Sequence, residues 1–450
     1  MSAGRTQRVR GARGSAGFTL IELMVALTGG LFISIAVFAL ARDSGRFYQR
    51  EARLANATIS GLIGFQRLRA DLARAGFLST PNIFRDTDGV CGAPNAAWPA
   101  GLQNLASIRL STPVIKNDAL AANESTPPVI TLAGSYGSPD LFGAKVVPRG
   151  NNVDFLLSTI VGASALRRLG NTGMPSTPVM QSVFPAARAL RIVQNGKQYY
   201  GQIVNAVGGA QPTVTVNAQP PIQFHDGNPL CGLREVTSAN AMPTINVVNF
   251  IQYAVSAPQT DTAKAGYSNV FSNSTNAPGE AKRTELTRVE LDVNGVPIEG
   301  TEEIVAEYAV DLNLQLIAVT SLPGAEPTLG LFSPRDAQFG TYTGPVFGTL
   351  NTPELIRSVR VRLGIRSREA DRTVDVDKAS IREDVSIVPN PANNPGALFR
   401  FYIGDLAKKP GPADPVSFKG TQTFASTETF ARVRTFQADI ALHNQMDVLW

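Results

Sequence analysis

The sequence predicts an α+β protein in which a long N-terminal, membrane-inserted α-helix packs on an antiparallel β-sheet with a large β-rich insertion. Residues 23–41 form an uncharged run of 19 residues, long enough to cross a bilayer as a helix. Apolar residues then recur at helical spacing as far as Gly76. Beyond Phe77 the pattern changes to short alternating or β-branched runs, which are typical of strands.

Composition limits the class of protein. The 450 residues are 43% hydrophobic and 17% charged, which excludes a disordered tail and a coiled coil. Four of the 41 basic residues lie in the first 17 positions, so 37 basic residues stand against 36 acidic ones in the remainder, which argues against a nucleic-acid partner. The chain has two Cys and two His and lacks a P-loop, an HExxH and a GxSxG motif, so we expect no metal, no cofactor and no enzymatic activity.

The apolar run could also be a buried core helix or a cleaved secretory signal. Against the secretory signal, Arg42, Asp43 and a long amphipathic continuation replace the small-residue cleavage site expected after the run. We therefore interpret the run as a membrane segment. The four arginines of the first 17 residues predict a cytoplasmic N-terminus by the positive-inside rule.

An acid lies inside this apolar run. The junction reads SAGFTLIELMVAL, residues 15–27, with a glycine before the run and Glu22 within it. An ionised carboxylate at this depth is costly without a partner, so Glu22 is a functional candidate. A neutral or snorkelling Glu22 without a role is the alternative.

The junction resembles the prepilin signature of type IV pilins and type II secretion pseudopilins. In that family a membrane peptidase cuts after the glycine and methylates the new N-terminal residue. The resemblance implies that 1–17 is a leader ending at Gly17, that Phe18 is the N-methylated first residue, and that Glu22 is the fifth-position glutamate. A carboxylate at that position can pair with the terminal amine of its own chain or of a neighbour in the assembled fibre.

The helix is expected to have a transmembrane half, 18–41, and an amphipathic half, 42–76. Gly29, Gly30, Gly45, Gly61 and Gly64 weaken it, so bending or local melting is expected there. A stripe of mostly apolar residues at spacings of three and four should pack on the chain's own sheet: Phe47, Leu54, Thr58, Gly61, Phe65, Leu68, Leu72 and Ala75.

Eight runs after the helix predict strands, in a β-rich region with the insertion, 77–245, and a C-terminal β-rich region, 246–450. The runs cover residues 152–159, 189–195, 212–218, 246–255, 287–293, 312–319, 358–367 and 432–444. Residues 257–280 and 408–415 are the most loop-like stretches.

Several segments together resemble the PilW family of minor pilins. They are RADLARAGF (69–77), GNNVDFLLST (150–159), EEIVAEYAVDLNLQL (302–316), SVRVRLGIRSR (358–368) and TFARVRTFQADIALHN (429–444). The resemblance covers the first 77 residues strongly and later segments in patches. His443 replaces the more usual arginine, and the tail to Trp450 is extra.

This resemblance implies a pilin fold and a low-copy subunit of a type IV pilus, near the tip, that helps to start fibre assembly for motility or adhesion. The implied partners are other minor pilins, the major pilin, the prepilin peptidase, the inner-membrane assembly platform and a tip adhesin. The chain would lie in the inner membrane, against lipid, before assembly and in the extracellular pilus afterwards. A type II secretion pseudopilin, a DNA-uptake pilin and a membrane-anchored periplasmic enzyme are the alternatives.

Cys91 and Cys231 would lie outside the inner membrane, where thiols are oxidised, and Gly or Pro flanks both. We expect a disulfide between them, which would fasten the insertion to the sheet; two free buried thiols are the alternative.

Three other groups of residues are candidate sites. His225 beside Asp226 is interpreted as a turn rather than a catalytic pair. Asp86 and Asp88 match only the start of a calcium loop. A basic run on one strand and turn is interpreted as a solvated sheet face, with DNA or an acidic partner as the alternative: Arg357, Arg360, Arg362, Arg366 and Arg368.

Overall fold

A computed structural model gives the fold of this protein. It describes residues 19–84, 94, 96–111, 120, 123, 125–159, 163–170, 174–217, 233, 242–257, 283–319, 326, 328–332, 346–347, 350–351, 353–368, 382–383, 396–403 and 430–445. The chain forms two compact units, Met1–Ala55 and Asn56–Trp450.

The predicted long helix is present. Helix α1 covers Leu20–Ala73 without a break, so its glycines do not interrupt it. Tight turns follow, in which the N–H of Arg74 and of Ala75 each bond to the carbonyl three residues earlier. Gly76 then adopts a φ of 77°, a conformation that glycine tolerates well, and its N–H donates to Ala133 O at 2.8 Å. The regular helix therefore ends three residues before the Gly76 that the sequence suggested.

The coarse fold class is also confirmed, because every strand pair in the described structure is antiparallel. The larger sheet has ten strands. They are β1 Ile108–Ser111, β2 Val129–Gly134, β3 Phe142–Arg149, β4 Asn152–Leu157, β5 Ala189–Gln194, β6 Lys197–Val207, β7 Thr213–Asn217, β8 Thr244–Ser256, β9 Glu285–Leu291 and β10 Glu303–Ala306.

The middle of this sheet closes into a barrel. β3 pairs with β4, β4 with β7, β7 with β6, β6 with β5, and β8 closes the ring against both β5 and β3. Apolar side chains fill the interior, as in other small barrels; among them are Phe142, Phe155, Ile192, Val216 and Ile245. Two short helices add Leu166 and Met180 to this core: α3 Ala163–Leu169 and α4 Thr177–Val183.

Strand β8 is shared between the barrel and an open part of the same sheet. Its first residues pair with β5, and residues from Asn249 onward pair with β2 and β9. Because β8 begins at Thr244, the predicted regions 77–245 and 246–450 meet inside one sheet. A short helix, α2 Ala100–Gln103, lies before β1 in the chain.

The second sheet has five strands in the order β12, β11, β15, β19, β18. They are β11 Ala309–Val319, β12 Leu329–Phe332, β15 Ile356–Arg366, β18 Arg400–Tyr402 and β19 Phe430–Ala441. Two-residue strands form the pairs β13 Val346–Phe347 with β14 Leu350–Asn351, and β16 Arg382–Glu383 with β17 Ala397–Leu398. Short 3-10 helices cover Pro353–Leu355 and His443–Gln445.

The C-terminal part of α1 lies in the main core with residues of both sheets. Phe65, Leu68 and Leu72 are buried with Leu132 and Ile251 of the larger sheet, and the same core includes residues of the second sheet: Leu314, Val361, Leu363 and Ile440. The predicted stripe is therefore confirmed from Gly61 to Ala75. Phe47 is exposed, and the side chain of Leu54 lies outside the described residues.

Two glycines of α1 permit this close packing. A Cβ added at Gly61 would lie 2.5 Å from Cε2 of Phe436, and one added at Gly64 would lie 2.6 Å from the carbonyl oxygen of Val305. Distances this short require the neighbour to move. Gly61 and Gly64 are thus contact points between helix and strands rather than weak points of the helix.

The eight predicted strands all correspond to observed strands: β4, β5, β7, β8, β9, β11, β15 and β19. Among the barrel strands, the sequence did not reveal β3 or β6. β3 contains Pro148 and Gly143, and β6 contains Gly201 and a register shift between Ile203 and Asn205, so neither has an unbroken period-two pattern.

Candidate assembly site on helix α1

Thr19 and Glu22 form a reciprocal cap at the start of α1. The backbone N–H of Thr19 and its hydroxyl donate to Oε2 of Glu22 at 3.0 and 2.9 Å, and the N–H of Glu22 donates to Oγ1 of Thr19 at 3.3 Å. This is a capping box, which satisfies backbone donors that the first turn of a helix leaves unpaired. Glu22 therefore has a local partner in its own chain.

Sequence reasoning missed the part played by Thr19. The signal was available, since a Thr three residues before a Glu and next to an apolar run is the capping-box pattern. Gly17 and Phe18 lie outside the described residues.

One segment of α1, Leu20–Gly45, is 26 residues long and is apolar enough to cross a membrane, by length and composition. Its side chains are exposed; Leu20, Phe32 and Phe38 are examples. Such a segment can serve as a membrane anchor or as a signal sequence.

An ionic cluster with a buried centre at Asp71 holds the C-terminal end of α1. Asp71 accepts hydrogen bonds through Oδ2 from the hydroxyl of Tyr253 at 2.7 Å and from Nε of Arg288 at 2.8 Å. Arg288 also pairs with Glu303 at 3.2 Å, and Glu303 lies 3.6 Å from Arg67. Burial, together with the charge of Asp71, raises the pKa of Tyr253, which stays a neutral hydrogen-bond donor. The cluster links α1 to β8, β9 and β10.

Tyr136 makes a second link to the same turn of the helix. Its hydroxyl donates to the carbonyl oxygen of Asp71 at 3.0 Å. The guanidinium of Arg74 lies 5.6 Å from the centre of the Tyr136 ring and donates to Ser135 O at 2.8 Å. A cation over an aromatic face is a favourable contact. Sequence reasoning missed this group and Asp71, because its members are far apart in the chain.

Glu285 is a buried acid whose pKa is raised above its ordinary value. Burial raises its pKa to about 7, although the ion pair with Arg283 and the N–H of Tyr308, at 3.0 Å, favour the carboxylate. Tyr308 has a φ of 56° and lies between two guanidinium groups, those of Arg283 at 4.6 Å and Arg366 at 5.0 Å from its ring centre. These contacts join the two sheets.

The basic run on β15 does not present a row of free cations. Arg360 forms a bidentate ion pair with Asp439, in which Nε lies 2.7 Å from Oδ1 and Nη2 lies 2.9 Å from Oδ2. Arg362 is buried and lies 3.6 Å from Asp311, and Arg366 is completely buried. This geometry favours a structural role for the run over contact with DNA.

The remaining candidate residues lie outside the described residues: Cys91, Cys231, His225, Asp226, Asp86 and Asp88. The disulfide therefore stays a prediction. Within the described ranges, no group of three His, Cys, Asp or Glu residues could hold a metal ion.

Comparisons of the whole chain with protein-family models, curated proteins and solved structures give no match.

Proposed function

We propose that this chain is a minor pilin of a type IV pilus, a low-copy subunit that helps to start fibre assembly. The observation that carries the proposal is the junction at residues 15–27, where a glycine, an apolar run and a single glutamate occur in the prepilin order. The fold supports the proposal because α1 is one continuous helix, Leu20–Ala73. The first part of this helix is apolar and exposed, and its last part is buried among strands. Those are the properties needed by a subunit that first enters a membrane and then packs by its helix.

In this proposal, the peptidase cuts between Gly17 and Phe18 and methylates Phe18. The mature subunit waits in the inner membrane, against lipid, with its β-rich region outside. It then joins the other minor pilins and the major pilin through the assembly platform. Glu22 would supply a negative charge where the terminal amine of Phe18 or of a neighbour enters the helical bundle, because an unpaired charge is costly there.

The large β-rich region supports a position near the tip. A repeating shaft subunit must fit many copies around a thin bundle, and the barrel of β3–β8 adds bulk that a shaft would have to accommodate in every copy. A tip subunit is present in low copy, so the fibre has to accommodate this bulk at its end only. Contact with a tip adhesin is part of the same proposal.

Replacing Gly17 with Val tests the assignment. We expect the variant to stay in the membrane as a full-length precursor, while the wild-type protein, by mass spectrometry, begins at a methylated Phe18. A mature protein that begins at any other residue would contradict the prepilin assignment.

Deletion of the gene distinguishes the assignment to a type IV pilus from the assignment to a type II secretion system. Loss of surface fibres with normal protein secretion supports the minor pilin. Loss of secretion with normal fibre number would instead assign the chain to a type II secretion system.

A further inference from the structure

A cavity of about 510 Å³ lies beside the C-terminal end of α1. Three segments that are far apart in the chain line it. They are the end of α1 with the turn that follows, the loop after β2, and the 3-10 helix His443–Gln445. The cavity is open to solvent, because Gly137, Pro139 and His443 of its lining are exposed.

The cavity contains an arginine without an acidic partner. Nη2 of Arg74 donates to Ser135 O at 2.8 Å, and the guanidinium lies over the ring of Tyr136. Its Nε and Nη1 make no hydrogen bond with any described residue, and Arg74 forms no ion pair within the described part of the chain. Asp71, one turn earlier, has its carboxylate in the ionic cluster with Arg288. Arg74 thus keeps two donor nitrogens and its full charge for a ligand.

An imidazole faces the same space. His443 lines the cavity and makes no hydrogen bond or ion pair with any residue that the structure describes. Its neighbours hold it in place: the N–H of Leu442 donates to Arg357 O at 2.9 Å, and Nδ2 of Asn444 donates to Ala75 O at 3.1 Å. In its neutral and in its charged form an imidazole has at least one N–H donor. The cavity therefore offers donors from two side chains.

Hydrogen bonds offset the negative end of α1. The last carbonyl groups of a helix carry partial negative charge, which disfavours an anion nearby. Here Asp71 O accepts from the hydroxyl of Tyr136 at 3.0 Å, and Ala75 O accepts from Asn444. These donors reduce the negative potential beside the cavity.

Apolar surface lies next to the two donors. Phe77 is half-buried and Pro139 is exposed, and both line the cavity. Neither belongs to a buried core cluster of the described structure, so their apolar surface is available to a ligand. Gly137 has no side chain, which leaves room between them and the donors.

The chemistry of the lining selects the class of ligand. Among the described residues, no Asp or Glu lines the cavity, whereas a divalent metal prefers carboxylate ligands. A phosphoryl group carries a charge of about −1.5 to −2 at pH 7, more than one guanidinium balances. A carboxylate has a single charge and two oxygens that accept N–H bonds, which matches one guanidinium with one imidazole.

We propose that this cavity binds a carboxylate joined to an apolar group. The carboxylate is held by Arg74 and His443. The apolar group lies on Phe77 and Pro139. Such a carboxylate occurs in a free aromatic acid and in a peptide that has an acidic residue beside an aromatic one. The site does not depend on the proposed assembly role.

The test is calorimetric titration of the full-length chain, in a non-ionic detergent, with phenylacetate and with acetyl-aspartyl-phenylalanine amide. Each ligand is compared with the analogue in which a carboxamide replaces the carboxylate. We expect the analogue to bind at least about tenfold more weakly, because a hydrogen bond to a charged group is lost. Tighter binding of phenylacetate assigns the site to free acids, and tighter binding of the dipeptide assigns it to a peptide.

Three variants locate the binding. Arg74→Gln should weaken binding of the stronger ligand at least about tenfold, since it removes a charged donor. His443→Ala should weaken it about two- to tenfold, since the imidazole contributes one hydrogen bond. Arg167→Gln is the matched control, because Arg167 is an exposed arginine of α3 outside the cavity, and this variant should bind as the wild type does.

The thermal unfolding midpoint of each variant is measured alongside. If Arg74→Gln unfolds early, His443→Ala, which changes an exposed side chain, decides the question. No binding of either ligand at millimolar concentration, or equal binding of the carboxylates and their carboxamides, would overturn the proposal. Unchanged affinity in a folded Arg74→Gln variant, or in His443→Ala where the first variant unfolds, would also overturn it.

Discussion

Asp71 of α1 and Arg288 of β9 form a buried ion pair, with 2.8 Å between Oδ2 and Nε, across a sequence separation of 217 residues. The pair fastens the helix to the larger sheet. Because Tyr253 donates to the same carboxylate oxygen, the negative charge of Asp71 has two partners inside the protein.

We therefore expect Asp71→Asn to destabilise the protein by about 3–5 kcal/mol, because it leaves the buried Arg288 without its nearest counter-charge. The measurement is chemical unfolding of the full-length chain in detergent. Asp439→Asn is the matched control, since Asp439 is 51% exposed and its ion pair with Arg360 should contribute less than about 1 kcal/mol. Equal losses in the two variants would contradict a special role for Asp71.

Gly64 and Gly45 of α1 should respond differently to replacement by alanine. Gly64→Ala places a Cβ against the backbone carbonyl of Val305 and should cost about 1–3 kcal/mol through overpacking. Gly45→Ala meets nothing within 4 Å and should be neutral or stabilising by up to about 1 kcal/mol, through helix propensity. Thermal unfolding of both variants is the measurement. A stabilised Gly64→Ala would show that the helix and Val305 are not in close contact.

Stability should fall as pH rises toward neutrality because of Glu285. Burial raises the pKa of this carboxyl to about 7 in the folded protein, above its ordinary value of 4.5. Between those values the folded state holds a proton that the unfolded state has released, so each step upward in pH favours unfolding. Glu285→Gln should flatten the pH dependence of the unfolding midpoint between pH 4.5 and 7. The exposed Glu299→Gln is the control and should keep the wild-type slope.

Capping and charge pairing at the start of α1 can be separated by two substitutions. Thr19→Val removes the hydroxyl of the cap and should cost the helix about 1 kcal/mol, while the charge of Glu22 remains. Under the proposed assembly role, this variant should enter sheared pili nearly as well as wild type. Glu22→Val and Glu22→Gln should be cleaved normally but accumulate in the inner membrane, with fewer surface fibres. Wild-type fibre numbers with Val at position 22 would refute charge pairing, even if cleavage at Gly17 is found.

The predicted bridge between Cys91 and Cys231 should stabilise the insertion. On the chain-entropy model, closing a loop of this size contributes about 5 kcal/mol before strain is counted. Cys91→Ser should therefore lower the unfolding midpoint under oxidising conditions and should have little effect under reducing ones. Alkylation and mass measurement of protein taken from its oxidising compartment provide the direct check, and two free thiols would contradict the bridge.

The sequence by itself determined the long helix and eight of the strands, because those elements have a clear local periodicity. The uncharged run and the stripe from Gly61 to Ala75 predict α1, and alternating runs such as 189–195 and 358–367 predict β5 and β15. The burial of Leu68 and Leu72 also followed from spacing, since residues three and four apart share a helix face.

Tertiary structure decided the contacts between distant segments. No local pattern states that Asp71 meets Arg288, that Arg360 meets Asp439, or that β8 closes a ring by pairing with both β3 and β5. The same is true of the row formed by Arg109, Thr131 and Gln252, which exists because three strands align in one register. Register and pairing are set by the simultaneous packing of strands and helix around shared cores, and the periodicity of one segment does not specify which distant segment it pairs with.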